Sequence, residues 1–203
     1  MGNCLIKINQ INQNSILKKA REGNVVGIKE ILLKGGDVNY QDLESGNNAL
    51  MIATYSGNYR LVEFLLENGA CSKKTNIFGY TALAFAARNG HVEIGRIIIS
   101  SFKENATVKN TVINAKSKNS DETPLMQAVF WEHRDFVILL LDNDADVYAK
   151  STYGWTALDF AKYKNSNELI LIISEKMNRE ISHRSPRLLV ENINKLYINN
   201  VNY

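Results

Sequence analysis

Asn76-Ile77-Phe78-Gly79-Tyr80-Thr81-Ala82-Leu83-Ala84-Phe85-Ala86-Ala87-Arg88-Asn89-Gly90-His91-Val92-Glu93-Ile94-Gly95-Arg96-Ile97-Ile98-Ile99-Ser100 reads as two tight turns and two short helices. Weaker copies flank it. The blocks Asn48-Ala49-Leu50-Met51, Thr81-Ala82-Leu83-Ala84, Thr123-Pro124-Leu125-Met126 and Thr156-Ala157-Leu158-Asp159 recur at intervals of 33, 42 and 33 residues. One column of this frame is Leu50, Leu83, Leu125 and Leu158; another is Ala53, Ala86, Ala128 and Ala161. A fixed period of this size is the signature of a stacked repeat architecture.

Each column has a physical reason. Asn48, Thr81, Thr123 and Thr156 carry side-chain oxygens that accept from the unpaired N–H groups of a helix N-terminus. Leu and Ala three residues apart share one helical face, and the small Ala lets a neighbouring helix come close. Gly57, Gly90, Glu132 and Asn165 stand where the first helix ends and the chain reverses. Gly and Asn accept the left-handed conformation such an ending needs, which makes Glu132 the strained member. A second apolar helix follows each turn, over Leu61–Leu66, Val92–Ile99, Phe136–Leu141 and Leu169–Ile173. The pairs Leu65-Leu66, Ile98-Ile99 and Leu140-Leu141 form its buried side.

These blocks, with Leu65-Leu66-Glu67-Asn68-Gly69-Ala70 and Asp142-Asn143-Asp144-Ala145-Asp146-Val147-Tyr148-Ala149-Lys150 after the second helices, resemble ankyrin repeats over about Asn12 to Ser174. The resemblance implies an all-α ankyrin-repeat solenoid of about five repeats, each a helix pair followed by a projecting turn, the finger. The expected repeats are 12–43, 44–76, 77–118, 119–151 and 152–182, within a repeat domain at 12–182. Residues 1–11 are an N-terminal segment and 183–203 a tail with a capping helix. The sequence departs from the family at one column. The histidine of the family's T-P-L-H block is replaced by Met51, Ala84, Met126 and Asp159, so the Thr-to-His hydrogen bond is missing, and either somewhat lower stability or packing by the two methionines in its place is expected.

The outer repeats differ from the inner ones. In the first, Leu17 and Ala20 keep the frame, while Gly23 and Gly35-Gly36-Asp37-Val38-Asn39 sit one place early. One extra residue in the finger Asp42-Leu43-Glu44-Ser45-Gly46 reconciles the two. Lys18, Lys19 and Arg21 make its first helix polar, as a terminal repeat without an outer neighbour requires. The nine residues that lengthen the middle interval are expected at about Ser101–Thr111, as a loop or as added helical turns. From His183 to Arg187 the sequence reads as a linker. Beyond it Leu188, Leu189, Ile193, Leu196 and Tyr197 fall at helical spacing.

Composition narrows the function. With 203 residues, 45% hydrophobic and 22% charged, the chain can bury a core and is not disordered throughout. Lys+Arg number 24 against Asp+Glu 21, and the +3 excess is spread along the chain, which does not favour nucleic acid as a partner. Two cysteines, Cys4 and Cys71, fit a reducing compartment better than a disulfide framework. No apolar run reaches the roughly 20 residues of a membrane helix.

Signals for chemistry are sparse. Asp142, Asp144 and Asp146 copy the start of a calcium loop, but Val147 stands where its Gly belongs and no Glu closes it at Tyr153. The repeat's turn explains them better. His91, His133 and His183 have no zinc spacing with either cysteine. Neither a phosphate loop nor a G-x-S-x-G elbow occurs. No catalytic residues, cofactor or metal are therefore expected.

The N-terminus carries a possible address. Removal of Met1 exposes Gly2 for myristoylation, and Cys4 stands where a palmitate would complete a stable two-chain anchor. The acceptor pattern wants Ser or Thr at position 6 and finds Ile6. Acylation would place the protein in the cytoplasm, at the cytosolic face of a membrane.

The resemblance also assigns a concave face to the finger tips and the exposed side of the first helices. Its positions here are Tyr40, Tyr55, Phe78, Tyr80, Arg88, Phe130, Trp131, Tyr153, Trp155 and Tyr163. Aromatic residues and Arg dominate binding energy at protein interfaces. The plainer alternative is that some of them pack repeat against repeat, Phe130 and Tyr55 foremost. The expectation is a monomeric, non-catalytic adaptor or scaffold that grips a protein partner on this face. The alternatives are a soluble cytosolic or nuclear regulator and a substrate-positioning subunit of an enzyme complex.

Overall fold

The computed structural model describes residues 15–102 and 106–184. Gly2 and Cys4 and the tail beyond Arg184 lie outside the described residues. The chain forms helices α1 (15–21), α2 (Val25–Leu33), α3 (Ala49–Tyr55), α4 (Tyr59–Glu67), α5 (Ala82–Asn89), α6 (Val92–Ser100), α7 (Ala106–Ile113), α8 (Pro124–Phe130), α9 (Arg134–Leu141), α10 (Ala157–Tyr163) and α11 (Asn167–Arg184). Among the described residues there is no strand, only an isolated bridge between Gln41 and Asn48. The fold is an all-α solenoid.

The first helix of each pair starts where its capping residue stands. Asn48 accepts from the Met51 N–H at 2.9 Å, Thr81 from Ala84 at 3.2 Å, Thr123 from Met126 at 3.3 Å and Thr156 from Asp159 at 3.3 Å. It ends in the left-handed region, at Gly57 (φ 71°), Gly90 (φ 69°), Glu132 (φ 58°) and Asn165 (φ 54°). Glu132 pays a Cβ penalty there that Gly avoids. His91 and His133 then cap α6 and α9 without a side-chain bond to their own helix. Each ring reaches back instead: His133 Nε2 lies 3.0 Å from the Arg88 carbonyl, and His91 Nε2 lies 3.4 Å from that of Tyr55. Successive repeats are thereby tied together.

Helices α3, α5, α8 and α10 pack side by side as one layer, and α4, α6, α9 and α11 as a second. The core lies between them. Leu50, Leu83 and Leu125 and the column Ala53, Ala86, Ala128, Ala161 are buried, as are Leu65, Ile98, Leu140 and Ile173 of the second layer. Gly95 lets α6 approach α9, since a Cβ there would stand 2.7 Å from the Phe136 ring. Met51 and Met126, in the column of the missing histidine, are both 1% exposed and pack in the core. Asp159, in the same column, does something else. Its carboxylate accepts from the Thr156 N–H at 2.9 Å and from the Thr156 hydroxyl at 2.7 Å, closing a capping box.

The fingers form a row of their own. Ile77 N–H donates to Ser45 O at 3.1 Å, Lys118 N–H to Phe78 O at 2.9 Å and Thr152 N–H to Ser120 O at 2.9 Å, so each tip is bonded to the next. The extra residue expected in the first finger is present. Asp42 N–H donates to Asn47 O, one residue further than in the finger where Asn76 donates to Tyr80 O. The third finger is enlarged in the same way, Ser117 N–H donating to Glu122 O. One of the extra residues of the long interval thus sits in this finger and not in the stretch Ser101–Thr111. Most of the remainder builds α7, which buries Val112 and Ile113 against the core. The last helix runs through His183 to Arg184, so helix occupies the start of the stretch expected to be a linker.

Candidate interaction face

The residues singled out in the sequence fall into three settings. At the finger tips Phe78 is 48% exposed and Tyr153 79% exposed, neither with a ring contact among the described residues. Tyr40 is half-buried and packs against the core. The others gather into two aromatic groups on the side of α3, α5, α8 and α10.

In the first group Phe85, on α5, takes Tyr55 edge-on at 6.0 Å and Tyr80 at 5.9 Å. Tyr55 keeps 61% of its surface exposed. A groove of about 370 Å³ opens beside it, lined by Arg21, Asn47, Met51, Ile52, Tyr55 and Phe85.

The second group is continuous across three repeats. The Arg88 guanidinium lies 5.4 Å from the centre of the Trp131 ring. Trp131 meets Phe130 at 5.5 Å, Phe130 meets Phe160 at 6.1 Å, Phe160 meets Trp155 at 5.2 Å, and Trp155 meets Tyr163 at 5.4 Å. Lys164 Nζ lies 5.2 Å from the centre of the Phe130 ring. Edge-to-face and tilted pairs at these distances are the attractive arrangements of the ring quadrupoles, and the two cations add to them. Phe130 and Phe160 form the inner rungs, while Trp131, Trp155 and Tyr163 are exposed. The result is a ladder of rings already fixed in position, with three outer faces open to a ligand.

Two residues that organise these groups, Phe85 and Phe160, were not among those expected. A sequence signal existed: both stand four places after a capping Thr, where the other repeats carry Ile52 and Gln127. Phe130 behaves as repeat-to-repeat packing. Tyr55, the other residue of the plainer alternative, packs only one edge.

The titratable groups of this region serve the turns. Hydrogen bonds from the Thr156 backbone, then from its hydroxyl, hold the Asp159 carboxyl below the usual Asp range. The Asp42 carboxyl is lowered in the same sense by the Ser45 hydroxyl and backbone. Among the described residues no three or more His, Cys, Asp or Glu side chains gather to hold a metal ion. Asp146 receives the Tyr148 N–H at 2.9 Å and Asp144 sits at φ 63°, both as parts of a turn.

Comparison with known proteins agrees with this architecture. A family model described as ankyrin repeats (3 copies) matches residues 16–111 and 102–185. An ankyrin repeat protein of Fowlpox virus (strain NVSL) is 30% identical over 183 residues, which are 85% of this chain and 51% of the viral protein. An ankyrin repeat protein of Rickettsia bellii (strain RML369-C) is 28% identical over 171 residues, 84% of this chain and 87% of the bacterial protein. A potassium channel of Arabidopsis thaliana is 39% identical over 75 residues, 37% of this chain and 9% of the channel. The chain spans about half the length of the fowlpox relative and a much smaller share of the channel. The helix pairs, fingers and caps define a stacked-repeat binding module, and the chain belongs to the ankyrin repeat family. Ankyrin repeats generally mediate protein–protein interaction, and proteins built from them are typically non-catalytic.

Proposed function

We propose that the protein is a non-catalytic adaptor that grips a segment of a protein partner on the face formed by its fingers and first helices. The observation that supports this is the ladder from Arg88 through Trp131, Phe130, Phe160 and Trp155 to Tyr163. It offers large ring surfaces whose rotamers are held by their neighbours, so little side-chain entropy is lost on binding. Such preorganised aromatic anchors carry most of the affinity at interfaces. Proximity labelling with wild type and with a Trp131→Ala, Trp155→Ala variant tests it. The variant is expected to lose a defined set of labelled proteins while its circular dichroism is unchanged. Identical sets from two folded proteins would overturn the assignment of the site.

Membrane tethering through Gly2 and Cys4, and with it a cytoplasmic location at a membrane surface, belongs to the same proposal and is independent of the face. Among the described residues no helix is long and apolar enough to cross a membrane. Metabolic labelling with a myristate analogue is expected to mark the wild type and not Gly2→Ala; an unlabelled wild type removes the tether and leaves a soluble regulator.

A further inference from the structure

The charges around the ladder are arranged unevenly. On its finger side Lys116, Lys118 and Lys150 are exposed. Lys118 is bonded through its backbone to the finger of Phe78, and Lys116 Nζ donates to the Lys150 carbonyl at 3.0 Å, which sets these two lysines side by side. None of the three, nor Arg88, lies within 4.0 Å of a carboxylate among the described residues, although the Asp159 carboxylate feels the charge of Lys150 at longer range. Of the carboxylates beside the ladder, Glu132 pairs with Lys164, while Glu122 and Asp159 bond the neutral Gln127 and Thr156 and keep their charge. The second layer is the opposite case, for Arg96, Arg134, Lys176 and Arg179 all face carboxylates. Towards the N-terminus the row changes sign, because the first finger carries Asp42 and Glu44.

Unpaired cations beside preorganised rings complement a ligand of opposite charge that also carries apolar side chains. We propose that the partner segment is an acidic peptide with aromatic or large aliphatic residues, seated on the three C-terminal repeats. Its carboxylates face Lys116, Lys118 and Lys150, and its apolar side chains lie on Trp131, Trp155 and Tyr163. The inference rests on the binding face proposed above and gives it a ligand chemistry.

The test is to pan short random displayed peptides on the full chain and to measure synthetic versions of those recovered by fluorescence anisotropy. The recovered peptides are expected to be enriched in Asp and Glu next to aromatic residues. Raising salt from about 0.05 to about 0.3 M, which shortens the screening length, weakens them severalfold. A Lys118→Glu, Lys150→Glu variant weakens binding about tenfold or more, largely through the association rate. Trp131→Ala, Trp155→Ala weakens it about thirtyfold or more. Should that pair lose its fold, Arg88→Ala with Tyr163→Ala replaces it. Neutral or basic peptides that depend on the tryptophans and ignore the lysine reversals would overturn the acidic ligand and leave the face standing. Peptides insensitive to both variants, or no enrichment at all, would overturn both.

Discussion

Asp159 takes a position where the family carries a histidine and does different work there. Its carboxylate holds the Thr156 N–H and hydroxyl, and that pairing keeps its folded-state pKa below the unfolded value. The stabilisation is therefore complete above the ordinary carboxylate range, about pH 4, and is lost as pH falls through the depressed folded pKa. Asp159→Ala is expected to cost about 1 kcal/mol at neutral pH, less if solvent screens the half-exposed carboxylate. Urea melts of variant and wild type should converge as pH falls below the depressed folded-state pKa, where Asp159 is protonated in both states. Thr54 is a second residue-scale case. It is fully buried in α3 and its hydroxyl has no hydrogen-bond partner among the described residues. Thr54→Val keeps the shape and removes the unpaired group, so a thermal melt should show a gain of about 1 kcal/mol.

At the scale of the helix pair, the turn after α8 stands out. Three of the four first-to-second-helix turns in α3–α11 use Gly or Asn at the left-handed position, and this one uses Glu132. Its ion pair with Lys164, 3.6 Å long and half-exposed, offsets little of the strain. Glu132→Gly should stabilise the protein by up to about 1 kcal/mol in chemical denaturation, whereas Glu132→Ala should not. This turn was legible in the sequence because caps and reversals are local: a residue type at a fixed offset is enough to place Thr81, Gly90 or Glu132. The aromatic ladder was legible only in part. Trp131, Trp155 and Tyr163 stand out by type, but their connection runs through Phe130 and Phe160, which lie 30 residues apart and meet only when α8 and α10 pack. The enlarged third finger was missed because an interval records how many residues are added and not where. The capping box has a local signature, a Thr three places before Asp159, which comparison with the family's histidine column hides.

Across the whole molecule, burial is graded along the stack. Helix α2 buries only Ile28 and leaves Val26 and Leu33 69% and 79% exposed, whereas α5 buries Ala82, Leu83, Ala84, Ala86 and Ala87. Each repeat is stabilised by its neighbours, so a weakly covered end opens before the middle. Native-state hydrogen exchange is expected to show the amides of α2 opening at a lower free energy than those of α5 and α8. Equal protection along the stack would contradict it.

The finger row adds a mechanical property. Its bonds from Ile77 to Ser45, from Lys118 to Phe78 and from Thr152 to Ser120 run along the stack, one at each junction, on one side of the helix layers. Bonds in series carry a common tension, so flexing the stack stretches or relaxes this whole edge while the packed helices act as the hinge. The spacing between rings on different repeats follows the same curvature. A segment clamped at both ends of the face therefore acts as a tie rod, setting the bend of the molecule that holds it.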